Sequence, residues 1–387
     1  MKEIVELRGI AWDHPRGYEP LIASAREFSN RNPHVSIKWD VRSLKEFGDM
    51  PIEELIGRYD FITIDHPYMG QAFENQLLLK LDEYIDSQIL ETLKGQSVGP
   101  CFQSYFYNNH QLALPIDAAA LVAAYRKDLL LDFGITGLPK TRSELRNFYN
   151  QLPNKFSVAW PLCPTDFWCA FLTICAQDGG RHFIKKNTFN INVGINALEE
   201  IKQHLEFIHP ESISWNPIQI LDRMGKEDEI IYSPFLFGYT NYSRPGYSPN
   251  LIHFSNSPVN PETNVSTILG GVGLAVSSQC KEVKTAVEFV SFVAGAEIQE
   301  GIYTREGGQP GNIRAWNSRP NNELCNNFFS DTLTTMENAY VRLQHPKWNK
   351  FQEQGASLLH EGVLKNIDSG KLITQLNELY HSVIHHG

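Results

Sequence analysis

Residues 108–131 read NNHQLALPIDAAALVAAYRKDLLL. Within this stretch, Gln111–Pro115 has the pattern of a short strand-like link. The Ala, Leu and Tyr spacing from Asp117 to Leu131 predicts a helix. The chain has no long floppy linker, either here or elsewhere. The stretch therefore predicts two halves of the protein that are joined by several short crossings.

The chain before this stretch has the pattern of an α/β unit. Strands are predicted at Glu3–Ala11, Val35–Val41 and Tyr59–Ile64, and helices at Tyr18–Asn30 and near Pro51–Gly57. The third strand is an almost continuous apolar run, as in a parallel sheet that is covered on both faces. The order β-α-β-α-β predicts a mostly parallel sheet flanked by helices.

The chain after this stretch predicts more helices and two more strands. One helix begins at Pro139–Leu145, with Thr141 or Ser143 as its N-cap. A glycine-rich strand is predicted at Ile268–Val276, and a tight loop at Gly307–Gly311. The other predicted elements are the strand Ile230–Pro234, the helices Phe167–Gln177, Ala197–Phe207 and Lys284–Val293, and a helical tail from Asn327.

Composition excludes several classes of protein. The 387 residues suit two domains. Lys and Arg total 34 against 44 Asp and Glu, a net charge of −10 without any basic block, which argues against nucleic-acid binding. A hydrophobic fraction of 42% excludes a disordered chain. No run reaches the roughly 18 apolar residues of a membrane span. The six cysteines form no C-x-x-C pair and are expected to be buried free thiols.

Four segments, taken in order, resemble a known family. Asn108–Leu131 is similar to the interlobe crossing of extracellular solute-binding protein family 1, the maltose-binding-protein-like substrate-binding components of ABC transporters. Leu138–Leu145 is similar to that family's next helix start. Gly270–Val293 is similar to its return strand and helix, and Tyr303–Pro310 to its second re-crossing.

The resemblance implies an α/β, two-lobe, periplasmic-binding-protein-like fold. Each lobe would be a mostly parallel sheet flanked by helices, with an interlobe cleft between them. The implied boundaries are residues 1–114 plus 265–312 for lobe one, and residues 115–264 plus 313–387 for lobe two.

The resemblance also implies a function. The protein would close by hinge motion around a small polar solute, a sugar or sugar acid, as the monomeric binding component of a membrane importer, without cofactor, metal or chemistry. That role implies an extracellular or periplasmic protein whose signal peptide was removed. The first residues read MKEIVELRG, with no signal peptide or lipobox, which predicts a cytoplasmic location for the chain as written. A cytoplasmic enzyme or a metabolite sensor on the same fold is the alternative.

The tripeptide Asp-His-Pro occurs twice, at residues 13–15 and 65–67, each time after a predicted strand and before a helix. Ligands of open α/β sheets bind beyond the carboxyl ends of the strands. If the two strands are neighbours, both motifs should face one cleft. The residues that would converge there are Trp12, Asp13, His14, Arg16, Asp65, His66 and Tyr68.

Three interpretations of these motifs remain open. The polar groups would bind a solute while Trp12, Tyr68, Trp160 and Trp168 stack on it. Alternatively, the Asp residues cap the following helices and the Pro residues fix the turns. In the third interpretation, two Asp and two His bind a metal or act as acid–base pairs.

Further candidates lie outside these motifs. Asp117 would contact the solute at the cleft floor or cap the predicted helix. The resemblance implies a stacking aromatic among Tyr232, Tyr239 and Tyr242. Core packing is the alternative for these three and for Trp168. Gly271 would allow close approach of the backbone to solute or to another strand. Gln309 would donate a hydrogen bond to the solute.

Overall fold

The computed structural model describes residues 4–43, 46–47, 51–185 and 188–385. Glu3, the first residue of the first predicted strand, lies outside these ranges. The strands are β1 (Val5–Trp12), β2 (Val35–Arg42), β3 (Phe61–Ile64), β4 (Phe106–Tyr107), β5 (His110–Gln111), β6 (Leu114–Tyr125), β7 (Ser157–Val158), β8 (Ile184–Lys185), β9 (Thr188–Phe189), β10 (Ile230–Phe237), β11 (His253–Ser255) and β12 (Leu269–Val276).

Helices surround these strands. They are α1 (Pro15–Arg31), α2 (Glu53–Ile56), α3 (Met69–Glu74), α4 (Ser87–Gly95), α5 (Cys101–Ser104), α6 (Lys127–Asp132), α7 (Leu145–Tyr149), α8 (Pro164–Gly179), α9 (Ile191–Leu205), α10 (Pro217–Lys226), α11 (Val283–Ala294), α12 (Ala296–Ile298), α13 (Ile313–Asn317), α14 (Arg319–Leu324), α15 (Phe328–Glu337), α16 (Trp348–Leu364) and α17 (Ser369–Tyr380). No helix in the described ranges has the length and apolar character that crossing a membrane requires.

Short helical turns complete the chain. The 3₁₀ turns are His66–Tyr68, Leu81–Glu83, Arg142–Glu144, Gly180–His182, Pro210–Ser214 and Thr240–Ser243, and turns of π type occur at Gln299–Tyr303 and His381–His385.

The main sheet has the strand order β2-β1-β3-β12-β6-β10-β7, with β11 also paired to β6. β1 is parallel to both β2 and β3, as the sequence predicts for the opening α/β unit. β12 is antiparallel to β3 and to β6, and β10 is antiparallel to β6 and parallel to β7. The long strands β6 and β12 therefore join the opening α/β unit to the middle of the chain.

The helix predicted from Asp117 to Leu131 is wrong over most of its length. Residues Leu114–Tyr125 form the twelve-residue strand β6, and helix covers only Lys127–Asp132. Every β6 residue except Tyr125 is buried, because β12 pairs with its first half and β10 and β11 pair with opposite edges of its last residues. Burial on all sides overrides the helix propensity of the alanines.

Most other sequence predictions of secondary structure are confirmed. The buried segment Phe167–Gln177 lies within α8, and Thr141 forms a capping box with Glu144. The glycine-rich strand is β12, and the Lys284–Val293 helix is α11. All six cysteines are free, and five of them are buried.

Two groups of hydrophobic residues build the interior. One lies around β1, β3, α1 and α11 and includes Phe61 and Phe289. The larger lies around α8, α16 and α17 and includes Trp168, Phe351 and Leu372. Two further clusters lie beside β6 and β3.

Candidate functional site

The two Asp-His-Pro motifs lie at the same edge of the sheet. β1 and β3 are adjacent and parallel, with Gly9 opposite Phe61 and Ile10 opposite Ile62. Each motif follows the last residue of its strand, and each proline occupies the first turn of the next helical segment. The expectation that the two strands are neighbours is confirmed.

Arg16, after the first motif, forms a buried ion pair with Asp117 of β6. Its Nε donates to Asp117 Oδ2 at 2.8 Å, and its Nη2 to Oδ1 at 2.5 Å. The remaining Nη1 donates to the carbonyl of Gly238 at 2.8 Å, and the guanidinium lies 4.6 Å from the ring centroid of Tyr239. Burial raises the pKa of Asp117, and Arg16 partly opposes this shift. The bidentate geometry provides the counter-charge that a buried carboxylate needs.

His14 is the N-cap of α1, so the prediction of Asp13 in that role is wrong. The His14 Nδ1 accepts a hydrogen bond from the backbone N–H of Arg16 at 3.0 Å, while the Asp13 side chain is exposed. Burial, with Arg16 nearby, lowers the pKa of His14 to about 4. The imidazole is therefore neutral at pH 7, and its ring packs 4.8 Å from that of Tyr239.

Gln309 and Gly271 complete what we call the first cluster, made of His14, Arg16, Asp117, Tyr239 and these two residues. Gln309 Nε2 donates to the carbonyl of Ala118 at 2.8 Å, and its Oε1 accepts from the backbone N–H of Thr240 at 3.2 Å. Gly271 has φ of +107°, and a Cβ there would lie 2.4 Å from the carbonyl oxygen of Asp117. The glycine thus serves the close approach of β12 to β6.

The second motif forms a different set of contacts, which we call the second cluster: Asp65, His66, Arg342 and Gln344. Asp65 caps its 3₁₀ turn by accepting from the His66 N–H at 2.8 Å, so the capping interpretation is correct for this motif. Its Oδ2 also accepts from Arg342 Nη2 at 2.5 Å. Burial disfavours the charged form of Asp65, but Arg342 and His66 outweigh it and keep the pKa of this carboxyl below its usual range.

Residues 340–347 place Arg342 and Gln344 beside the second motif. The Arg342 backbone N–H donates to His66 Nε2 at 3.3 Å, and the Gln344 amide donates to the carbonyl of Ser104. A Cβ on Gly70 would lie 1.8 Å from the Gln344 carbonyl oxygen. This segment could not be identified from the sequence, because it has no motif of its own. Gly70, five residues after Asp65, is the only local sign in the sequence that another segment packs closely there.

Tyr105 lies between the two clusters and was also missed from the sequence. Its side chain is buried, and burial raises the pKa of its hydroxyl well above the usual value. Asp65 and Asp117 both add to this rise, while Arg342 opposes it. The phenol is therefore within electrostatic reach of Asp65 and Arg342 in the second cluster and of Asp117 in the first.

Three of the predicted aromatic ligands lie in the hydrophobic core. Trp160, Trp168 and Tyr232 are all fully buried. The Trp160 Nε1 donates to the Tyr149 hydroxyl at 3.2 Å, and the Trp168 ring lies 6.2 Å from that of Trp348. For these residues the structure favours the core-packing alternative.

The remaining aromatic candidates differ in position. Tyr239 contacts Arg16 and His14, whereas the Tyr242 hydroxyl donates to Asp222 Oδ1 at 2.7 Å. Trp12 is buried against Phe47, with 5.6 Å between ring centroids. Tyr68, in the turn after the second motif, is partly exposed.

The histidines of the two motifs do not form a metal site. Across the described ranges, no group of three or more His, Cys, Asp and Glu side chains is arranged to hold a metal ion. One nitrogen of each imidazole accepts a backbone hydrogen bond, His14 from Arg16 and His66 from Arg342. Each imidazole therefore already has a structural role.

A groove of about 520 Å³ lies elsewhere, along α16 and α17. It is open to solvent, and none of the candidate residues lines it. The residues along it are Glu353, Gln354, Ser357, Leu358, Glu361, Gly362, Lys365, Ile367 and Gln375. It is therefore separate from the polar region at the ends of β1 and β3.

Comparison with solved structures identifies the fold. Maltose-bound MalE3 of T. maritima superposes with a TM-score of 0.84 at 16% identity, over 97% of this chain and 99% of that chain. An ABC transporter solute-binding protein from Agrobacterium radiobacter K84 in complex with ribitol gives 0.81 at 19% identity, over 97% and 98%. One from Agrobacterium vitis S4 with D-mannitol gives 0.76 at 13%, over 97% of each chain.

These similarities confirm the predicted two-lobe α/β fold over almost the whole chain. No protein-family model matches the sequence.

Proposed function

We propose that this chain, which has the fold of ABC-transporter solute-binding proteins, binds a small polar solute between its lobes and delivers it to a membrane importer. The solute is a carbohydrate or polyol and is bound without chemical change. Support comes from proteins of the same fold that hold maltose, ribitol and D-mannitol. An importer receives its solute from outside the membrane, so the proposal places the protein there as well.

We propose the lobe division expected from the sequence: residues 1–114 plus 265–312 and residues 115–264 plus 313–387. The separate hydrophobic groups around β1–β3 and around α8 and α16 support it. With this division, the chain passes between the lobes at the start of β6, in the segment before β12 and at the start of α13. A rotation about such crossings would open and close the cleft.

The observation that carries the proposal is that both ion pairs join the two proposed lobes. Arg16 of lobe one binds Asp117 and the Gly238 carbonyl of lobe two. Asp65 of lobe one binds Arg342 of lobe two. Opening the lobes would expose these charged groups, and the hydroxyls of a sugar would then replace their lost hydrogen bonds.

The solute-binding residues that we propose follow from these contacts. Asp13 is exposed and Tyr68 is partly exposed, and these two would contact the solute first. The first and second clusters would contact it as the lobes close. Tyr239 would supply an aromatic face, as stacking against a sugar ring requires.

A ligand panel tests the proposed function. Ribitol, maltose, D-mannitol and common monosaccharides would be added at millimolar concentration while the melting temperature is measured. A solute that binds only the folded protein raises that temperature by mass action. Asp13→Asn should weaken the shift, whereas Asp132→Asn, at an exposed position at the end of α6, should preserve it. A panel without any shift would argue against the proposal.

A further inference from the structure

Resting on the proposed function, we infer that the solute carries an oxyanion, and that Arg42 is the residue that selects it over the neutral sugar or polyol. A sugar acid supplies such a group as a carboxylate, and a sugar phosphate supplies it as a phosphate. Arg42 lies between the two Asp-His-Pro motifs and is a buried arginine without a carboxylate partner in the described part of the chain.

Arg42 is the last residue of β2, at the edge of the sheet where β1 and β3 also end. It lies opposite Trp12 in the register of β1 and β2, and its carbonyl oxygen accepts from the backbone N–H of Asp13 at 2.7 Å. Its side chain reaches β3, where Nη2 donates to the carbonyl of Thr63 at 2.8 Å. The backbone of Arg42 thus contacts the first motif, and its side chain contacts the strand that leads into the second.

The Arg42 guanidinium has no counter-charge bonded to it. Only 7% of the residue is exposed. Its Nε is buried without a hydrogen-bond partner, and Nη2 is bonded to a neutral carbonyl. The Phe47 ring lies 5.1 Å from the guanidinium, a contact that adds attraction but no negative charge. A buried charge without a counter-charge is costly, and a bound oxyanion would supply what is missing.

The carboxylates nearest to Arg42 in the described chain are bonded elsewhere or exposed. Glu46 is exposed, and its Oε2 accepts from the backbone N–H and the hydroxyl of Ser43, at 2.8 and 2.9 Å. The Asp13 side chain is exposed as well, so water screens its charge. Asp65 is already paired within the second cluster. The positive charge of Arg42 is therefore left for a ligand.

The pKa values of the three buried arginines around the motifs agree with this difference. Burial lowers the pKa of Arg42 to about 10, and Tyr68 and Glu46 oppose the shift only in part. Burial acts in the same direction on Arg16 and Arg342, but the carboxylates bonded to them outweigh it and raise both pKa values. Arg42 is still charged at pH 7, because that pH lies well below 10.

Arg342 adds a second donor from the other proposed lobe. Its Nη2 is bonded to Asp65 and its Nη1 to Gln352 Oε1 at 3.3 Å, but its buried Nε has no hydrogen-bond partner. Thr63, which accepts from Arg42, and Asp65 are two residues apart, at most about 7 Å along the backbone. One acidic sugar between the lobes would therefore lie within reach of both arginines.

The charged side chains at the end of β3 do not cancel. Arg42 and Arg342 accompany one carboxylate, Asp65. Burial lowers the pKa of His66 and outweighs the opposing effect of Asp65, so the imidazole is neutral at pH 7. A net positive charge in a site with little exposure favours an anionic solute and disfavours one with an ammonium group.

Isothermal titration calorimetry at pH 7 with matched solutes tests the inference. The parent solutes would be glucose, galactose, mannose, ribitol and D-mannitol, each in three forms: neutral, with a terminal carboxylate and with a terminal phosphate. We expect an anionic form to bind roughly tenfold more tightly than its neutral parent, the effect of one charge-assisted hydrogen bond. Comparison of the carboxylate with the phosphate shows which oxyanion the site takes.

Arg42→Gln tests the residue itself. It should reduce the preference to about twofold or less and keep binding of the neutral parent, because it removes the charge but keeps a hydrogen-bond donor. Arg42→Lys keeps the charge and should keep part of the preference. Arg26→Gln, at an exposed arginine of α1, is the matched control and should leave both affinities unchanged.

The outcomes separate the two proposals. Tightest binding by a neutral solute, maltose included, or an anionic preference that survives Arg42→Gln, overturns the inference and leaves the proposed function standing. The ranking of neutral and anionic forms is measured on the wild-type protein, so it decides the charge of the solute even if Arg42→Gln does not fold. Absence of binding by every form of every solute, and by maltose, overturns the proposed function and the inference together.

Discussion

Arg16 and Asp117 lie 101 residues apart in the chain and form a bidentate ion pair that is almost completely buried. The pair joins the first helix to the first part of the longest strand of the sheet. It explains why Asp117, an acidic residue in an otherwise apolar strand, is tolerated there. It also means that separating these two elements requires the loss of two hydrogen bonds from Arg16.

Asp117→Asn should destabilise the folded protein strongly. Removing one charge of a buried pair leaves the other unpaired, at a cost of about 3–5 kcal/mol in the free energy of unfolding. Asp132→Asn, at an exposed position, should change it by less than about 0.5 kcal/mol. Urea unfolding measures both. A loss below about 1 kcal/mol for Asp117→Asn would show that the pair contributes little.

The pair of Asp65 with Arg342 should behave as a coupled unit. In a double-mutant cycle with Asp65→Asn and Arg342→Gln, the two changes should be non-additive by about 0.5–3 kcal/mol. Additive effects would mean that the contact carries no energy of its own. Arg342→Gln should also increase the radius of gyration of the ligand-free protein, since it removes a contact between the proposed lobes. Small-angle X-ray scattering measures that change.

Gly70 should not tolerate a side chain. A Cβ at this position would lie 1.8 Å from the carbonyl oxygen of Gln344 and 2.8 Å from the backbone nitrogen of Pro346. Gly70→Ala should therefore displace residues 340–347 and lower the melting temperature. Gly137→Ala is the matched control, because nothing lies within 4 Å of its Cβ position. Equal melting temperatures for the two variants would contradict the packing described for this segment.

The stability contributed by Asp166, a buried residue in the first turn of α8, should depend on pH. Burial raises its pKa from 3.8 to about 7, so between these values the folded protein holds a proton that the unfolded chain has lost. Its contribution is therefore complete below about pH 4 and is lost as the pH rises through about 7. Asp166→Asn removes this loss. The free energy of unfolding of Asp166→Asn, relative to that of the wild type, should thus increase from pH 4 to pH 8. Chemical unfolding of both proteins at several pH values measures this difference. A difference that is constant with pH would contradict the assignment.

The position of the two Asp-His-Pro motifs could be predicted from the sequence because its determinants are local. The strands before both Asp-His-Pro motifs have apolar patterns of their own, and prolines mark the starts of the helices that follow. The rule that ligands lie beyond the carboxyl ends of strands then places both motifs at one edge.

The partners of these motifs could not be predicted, because they depend on contacts between distant residues. Arg342 lies 277 residues from Asp65 and has no local pattern that marks it. The strand β6 was predicted as a helix because its alanines favour helix, and only pairing on both edges makes it a strand. Burial likewise decides that Trp160 and Trp168 pack in the core, although a Pro-rich loop with two tryptophans is typical of a binding surface.

Small-angle X-ray scattering with and without solute tests the central claim most directly. The claim is that two lobes close around a small polar solute. The panel would contain ribitol, maltose, D-mannitol and common monosaccharides, each at about 100 times its dissociation constant or at 10 mM where no binding is known. We expect at least one solute to reduce the radius of gyration and to raise the melting temperature together. A panel in which no solute changes either quantity would contradict the claim.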